Sequence, residues 1–168
     1  MLSPSLVGRV TVFVTDASQL IQSGCPPLNV NNATIVGGSA ELEGQVTPRL
    51  QLRVNASMTN ARDQAGTPVI RIPNAAASAA FHYALSPAST VTLIANYVGT
   101  RPDLDFSTFP ATTVTLPVYT LVGLRYSVTT GLGTWQVGVD NLFDVAYEAV
   151  KGFPSPGRTV FVSLSRGF

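Results

Sequence analysis

Few residues of this 168-residue sequence could carry bond-making chemistry. His82 and Cys25 are each the only residue of their kind. One Cys excludes an intrachain disulfide and a multi-cysteine zinc site, and a lone His argues against a triad or a histidine metal site. Cys25, between Gly24 and Pro26, reads as an unpaired thiol rather than a nucleophile. His82 reads as a hydrogen-bonded packing residue. Asp103 and Asp105 form an acidic pair, and oxygen-rich loops can hold Ca²⁺, but two carboxylates are too few for a site. A solvated loop is the expectation there. Asn141-Leu142-Phe143-Asp144 reads as the end of a strand that pins a loop, its Asp a turn former before a ligand. Gly157 is expected to take a backbone angle other residues resist, letting Arg158 re-enter a strand. No nucleophile meets a base and no two carboxylates are placed as a pair. The chain therefore reads as no enzyme, with no catalytic residue, no metal and no cofactor.

The elements around these residues are more informative. Charged residues make up 11% of the chain, against about 25% in soluble domains, while 45% are hydrophobic. Gly (14) and Pro (12) are abundant, Val and Thr recur, and a coiled coil or helical bundle is excluded. A formal charge of +1 provides no basic stripe for nucleic acid. The N-terminus, Met1-Leu-Ser-Pro-Ser-Leu, has no basic and apolar signal pattern. The longest uncharged stretch, Ile72–Thr100, contains Pro73, Asn74, His82, Pro87 and Asn96, which disqualifies it as a spanning helix.

Period two dominates instead. In Leu50–Thr59, Leu50, Leu52, Val54, Ala56 and Met58 alternate with Gln51, Arg53, Asn55, Ser57 and Thr59. Successive strand residues point to opposite faces, so one face is apolar and the other wet. Val10–Val14, Ile35–Val46, Ala79–Leu85, Val91–Tyr97, Val118–Val128, Trp135–Val139 and Val160–Phe168 bring the expected strands to eight, many of bilayer-spanning length. Thr47-Pro48-Arg49, Ser86-Pro87-Ala88 and Thr129-Thr130-Gly131 are short turns. Between them lie long loops at Asp16–Asn32, Asn60–Pro73, Thr100–Val114 and Asp144–Arg158. Strict alternation of short and long connections is the habit of outer-membrane barrels, whose two ends face different compartments.

Tyr83, Tyr126, Trp135 and Phe168 share the apolar parity at the short-turn end, where amphipathic rings form an interfacial girdle. Glu41, Glu43, Arg53, His82, Arg125 and Asp140 fall on the other face, tolerable mid-strand only against water or protein. Arg166 is on the lipid-side parity, close enough to a strand end to snorkel.

Four motifs carry a family resemblance. They are Asn32-Ala33-Thr34-Ile35-Val36-Gly37-Gly38 with Glu41-Leu42-Glu43; Tyr97 to Phe106, containing Arg101, Asp103 and Asp105; Val114 to Val122; and the close. The close runs Asn141-Leu142-Phe143-Asp144, Ala146-Tyr147-Glu148, Gly152-Phe153 and Pro156-Gly157-Arg158 to a final strand ending in Phe168. In this order they resemble the TonB-dependent outer-membrane receptors, across essentially residues 1–168, and most closely the vitamin B12 (cobalamin) branch.

The resemblance implies an all-β fold: eight antiparallel up-and-down transmembrane strands forming the C-terminal arc of a twenty-two-stranded barrel. It further implies active uptake of a scarce ligand, a cobalamin or iron-siderophore, at the outer membrane of a Gram-negative type bacterium. The plug, the TonB box and the signal peptide are expected to lie outside this sequence, so TonB, ExbB and ExbD would act only through that missing plug. Outer-membrane lipid and the barrel-assembly machinery are implied partners, the latter reading Val162, Leu164 and Phe168; Ser163 and Arg166 depart from the usual signal. Asn141, Leu142, Phe143, Asp144, Tyr147, Gly157 and Arg158 would be structural, and Arg101, Asp103 and Asp105 are candidate ligand contacts in an extracellular loop. Such an arc has two open edges, at Val7–Thr15 and Thr159–Phe168. The competing expectation is a self-contained eight-stranded barrel, either a small outer-membrane protein or a lipocalin-like soluble binder.

Overall fold

The computed structural model describes residues 5–22 and 28–166; Cys25 and Phe168 lie outside them. Among the described residues twelve strands form: β1 Ser5–Gln22, β2 Leu28–Thr47, β3 Leu50–Asp63, β4 Ala75–Ser86, β5 Ser89–Val98, β6 Arg101–Asp105, β7 Thr112–Leu116, β8 Tyr119–Thr130, β9 Gly133–Asp140, β10 Glu148–Val150, β11 Phe153–Pro154 and β12 Thr159–Ser165. Eight of them build one antiparallel sheet in the order β1-β2-β3-β4-β5-β8-β9-β12. Sequential neighbours pair throughout, as short two-residue turns such as Pro48–Arg49 demand. No pairing joins β1 to β12 among the described residues, so the sheet is an open arc rather than a small closed barrel.

Register turns the sequence alternation into two chemically distinct faces. Leu42, Val54, Ala79, Ala95 and Val122 are successive cross-strand partners on one face. Leu124, Val139 and Val160 continue it. This face is left open to its surroundings: Val10 and Val12 are each 79% exposed. Tyr83 and Tyr126 both pair with Val91, and Trp135 sits opposite Val128, which draws the girdle rings together at the short-turn end.

The opposite face is laced with polar pairs. Arg9 and Glu41 are register partners with a 3.5 Å ion pair, as are Arg53 and Glu43 at 3.0 Å. Arg125 reaches Asp140 at 3.4 Å. Asn55 donates to the Ser78 hydroxyl at 2.8 Å, and His82 Nδ1 stands 3.0 Å from Thr92 Oγ1. These solvated pairs each contribute only about 0–1 kcal/mol, so they mark a wet face more than they hold it together. Two close packings interrupt the polar ladder. The Phe13 ring lies over its partner Gly37, and the Phe161 ring over its partner Gly138, where a Cβ would overlap the ring. The Arg125 guanidinium caps Phe161 at 5.5 Å from its centroid.

The long connections differ from the expectation of plain loops. The expected loop at Asp16–Asn32 is mostly strand, because β1 and β2 keep pairing from Asp16↔Thr34 up to Gln22↔Leu28. Thr100–Val114 contains the β6–β7 hairpin, and Asp144–Arg158 contains β10 and β11. Backbone groups leaving the sheet thus find ladder partners instead of water. Arg166 follows β12 and is exposed.

Candidate functional site

The long-loop end of the sheet gathers its side chains around one carboxylate. Asp103, on β6, has 0% exposure. Its Oδ1 accepts from Arg71 Nε and from the Leu104 N–H, both at 2.9 Å, and its Oδ2 accepts from the Lys151 N–H at 2.8 Å. Three connections are thereby tied together: the one after β3, the β6–β7 hairpin and the one after β9. Burial pushes the Asp103 carboxyl upward, but the Lys151 and Leu104 N–H groups and the Arg71 guanidinium outweigh it and hold it below its ordinary value. Arg71 donates its own N–H to the Pro102 carbonyl at 2.7 Å and adopts φ 64°.

Arg101 provides the second tie. It is 4% exposed, donates Nη2 to the Glu148 carbonyl and Nε to the Ala149 carbonyl at 3.3 Å, and lies 5.3 Å over the Tyr119 ring. Tyr119 in turn packs on Tyr147, ring centroids 4.4 Å apart. The buried Arg101 Nη1 has no acceptor among the described residues. Beside these ties opens a cavity of about 620 Å³, lined in part by Asp105, Leu116, Tyr147, Glu148 and Lys151. Lys151 Nζ stands 3.6 Å from Glu148 Oε2, so cation and anion share its rim. The Asp105 carboxylate is held below its ordinary value by hydrogen bonds from Ser107, side chain first and backbone second. The cavity presents hydrogen-bonding groups of both signs to a ligand.

These positions correct parts of the sequence reading. Asp103 is not in a solvated loop: it is fully buried, and both its oxygens accept from the protein's own donors, three in all from three segments. Arg101 commits its Nε and Nη2 to the protein's own carbonyls and its plane to Tyr119, leaving only the buried Nη1 uncommitted among the described residues. Asp105 does border the cavity. The closing motif acts as a lock: Asn141 Nδ2 donates to the Val145 carbonyl at 3.0 Å while its Oδ1 accepts the Val145 N–H at 2.9 Å. Leu142 N–H bonds the Val122 carbonyl at 2.7 Å, and Phe143 points outward, exposed. Asp144 accepts the Arg158 N–H at 2.7 Å. Positive φ falls on Asn141 (50°) and Asp144 (54°), not on Gly157. Gly157 instead leaves room for the Asp144 carboxylate, since a Cβ there would stand 2.6 Å from its Oδ1. Val162 and Leu164 are exposed on the apolar face of β12.

Sequence reading missed Arg71 and Lys151, and took Tyr119 and Glu148 only as parts of family motifs. Their partners are 32 and 48 residues away in the case of Asp103, and no local spacing announces that. Among the described residues, no group of three or more His, Cys, Asp or Glu could hold a metal ion.

A family model described as TonB dependent receptor-like, beta-barrel matches residues 2–142. The chain is 39% identical over 74 residues to the vitamin B12 transporter BtuB of Vibrio cholerae serotype O1, covering 43% of this chain and 12% of that protein. Among solved structures, it superposes on the ferripyoverdine receptor of the outer membrane of Pseudomonas aeruginosa with a TM-score of 0.75 and 19% identity, covering 92% of this chain and 24% of that one. On the siderophore receptor PirA from Acinetobacter baumannii the TM-score is 0.76 at 16% identity, covering 94% and 29%. The chain thus spans between an eighth and under a third of these proteins, and the structural likenesses establish the fold.

Proposed function

Because this chain belongs to the TonB-dependent receptor-like β-barrel family, we propose that residues 1–168 serve as the C-terminal part of the barrel wall of an outer-membrane receptor. The receptor takes up a scarce ligand of the cobalamin or iron-siderophore class into the periplasm and is not an enzyme. The observation that carries this reading is the tying of the long connections by Asp103. A wall with three of its long connections locked together at one end suits a pre-organised extracellular binding rim. In this reading Asp105 and Lys151, on the rim of the 620 Å³ cavity, meet the ligand. Arg101 does so only if its bonds to the Glu148 and Ala149 carbonyls open. A plug elsewhere in the receptor couples to TonB, ExbB and ExbD. The barrel-assembly machinery reads the last strand, with Val162, Leu164 and Phe168 as its signal.

The test is a blot of outer membranes from the source organism with antibody against the Thr100–Val114 loop, paired with uptake of labelled cobalamin and labelled ferric siderophore in a deletion strain. A heat-shifting band several times larger than 17.7 kDa and loss of one uptake activity is the expected pair of results. A band at the size of this chain would replace the reading with a small autonomous barrel. Detergent-free monomers that bind apolar dye would replace it with a lipocalin-like binder.

A further inference from the structure

We propose that the apolar face of this wall carries a site for an anionic, phosphate-bearing lipid, with its acyl chains in a trough between β1 and β5 and its headgroup under Arg62. The inference rests on the membrane reading above and extends it from lipid contact in general to one lipid at one place.

The trough follows from two adjacent register rows. In one, Val10, Ala40, Ala56, Ala77 and Tyr97 stand side by side across five strands. In the next, Val12, Gly38, Met58 and Ala75 do so. Small residues floor the middle strands in the first row, with Val10 and Tyr97 at its flanks about 19 Å apart at four strand spacings, and Met58 rises as one wall in the second row. The result is an apolar depression of about 590 Å³. A strand added beside β1 would extend the sheet within its own plane and leave this face uncovered.

Charge selects the occupant. On β3 the parity of Met58 continues to Asn60 and Arg62, about 7 and 13 Å farther along the strand toward the long-loop end. Arg62 is exposed, and its guanidinium is held in place by Nε donating to Asn60 Oδ1 at 3.2 Å and Nη1 donating to the Gly66 carbonyl at 2.8 Å. No carboxylate of the described residues is in ion-pairing reach of it. The nearest on its row, Asp16, lies across Thr34, about 10 Å away at two strand spacings, and accepts the Thr34 hydroxyl at 2.9 Å. An unneutralised, pre-oriented guanidinium above an apolar trough complements an amphiphile with an anionic head. The planar fork fits two phosphate oxygens at once.

The experiment uses the whole membrane protein that carries this chain, purified in mild detergent and offered equal dipalmitoyl phosphatidylglycerol and dipalmitoyl phosphatidylcholine, with bound lipid read by native mass spectrometry. Wild type should retain phosphatidylglycerol preferentially. Arg62→Gln should lower that adduct about tenfold while leaving phosphatidylcholine unchanged. Arg62→Lys should restore part of it, and Ala77→Phe, which fills the floor, should lower both lipids. Equal retention by wild type and Arg62→Gln, no preference for the anionic lipid, or a dimer in place of the adduct would each overturn the site. Heat-shift gels on the same samples separate the two claims. Lipid arms that fail on heat-shifting protein sink the groove alone, whereas absence of any heat shift sinks the membrane reading and the groove together.

Discussion

The Asp103 carboxylate accepts the backbone N–H of Lys151 at 2.8 Å, joining residues 48 positions apart and closing the long-loop end of the sheet. Its other oxygen takes Arg71 and Leu104, so one side chain fixes the relative positions of three connections. Its removal is the most direct way to separate the rim from the wall.

Asp103→Ala should leave the wall intact and loosen the rim. Breaking these bonds removes the Asp103 ion pair from Arg71 and leaves the Leu104 and Lys151 N–H groups without their acceptor, at a local cost of about 2–4 kcal/mol. Limited proteolysis should cut residues 101–116 and 141–158 faster in the variant, and ligand affinity should fall at least about tenfold. Unchanged proteolysis would mean the clamp contributes little.

Acid should open the same clamp, but late. Asp103 is held below its ordinary value of 3.8, so its contribution is present above the unfolded value and is lost as pH falls through the lower folded value. Hydrogen exchange at Leu104 and Lys151 should therefore stay slow through neutral and mildly acid solution and accelerate only below about pH 4. Asp103→Asn should flatten that profile.

Gly138→Val should cost about 1–3 kcal/mol through overpacking, because its side chain must displace the Phe161 ring and with it the surface beneath Arg125. Adding Phe161→Ala should recover part of the folded yield, measured as heat-shifting protein. No recovery would show that Gly138 matters for another reason.

A pair of arginine substitutions on β3 distinguishes the faces. Val54→Arg puts a charge on the apolar face, at a cost of about 2–4 kcal/mol if that position lies near the bilayer midplane. Asn55→Arg, one residue away on the wet face, should be tolerated. The soluble-binder alternative requires the reverse order of assembly yields.

Gly157→Val should weaken the last connection by crowding Asp144 and so loosening its bond to Arg158 N–H. Faster exchange at Arg158, with unchanged exchange in β9, is the expected result.

Most of the wall is legible in the sequence. Leu50 to Thr59 alternate cleanly enough to assign their strand and both faces without coordinates, because side-chain direction in a strand is a local property with a period of two. Short turns such as Thr47-Pro48-Arg49 are equally local, and they make β2 and β3 neighbours. The upper end was far less readable. Asp16 to Asn32 carry weak alternation, yet β1 and β2 go on pairing there, since each new ladder bond extends one already formed. Asp103 reads as a solvent-exposed loop acid from its neighbours alone. Only the folded chain brings Arg71 and Lys151 to it from 32 and 48 residues away. The same holds for Phe161 on Gly138 and for the trough beneath Arg62, both products of register between strands. The sequence by itself determined which residues share the apolar face and which the polar face, and in what order the strands run. Tertiary structure decided which loop residues are clamp and which are rim, because a buried carboxylate is defined by donors the chain must fold to deliver.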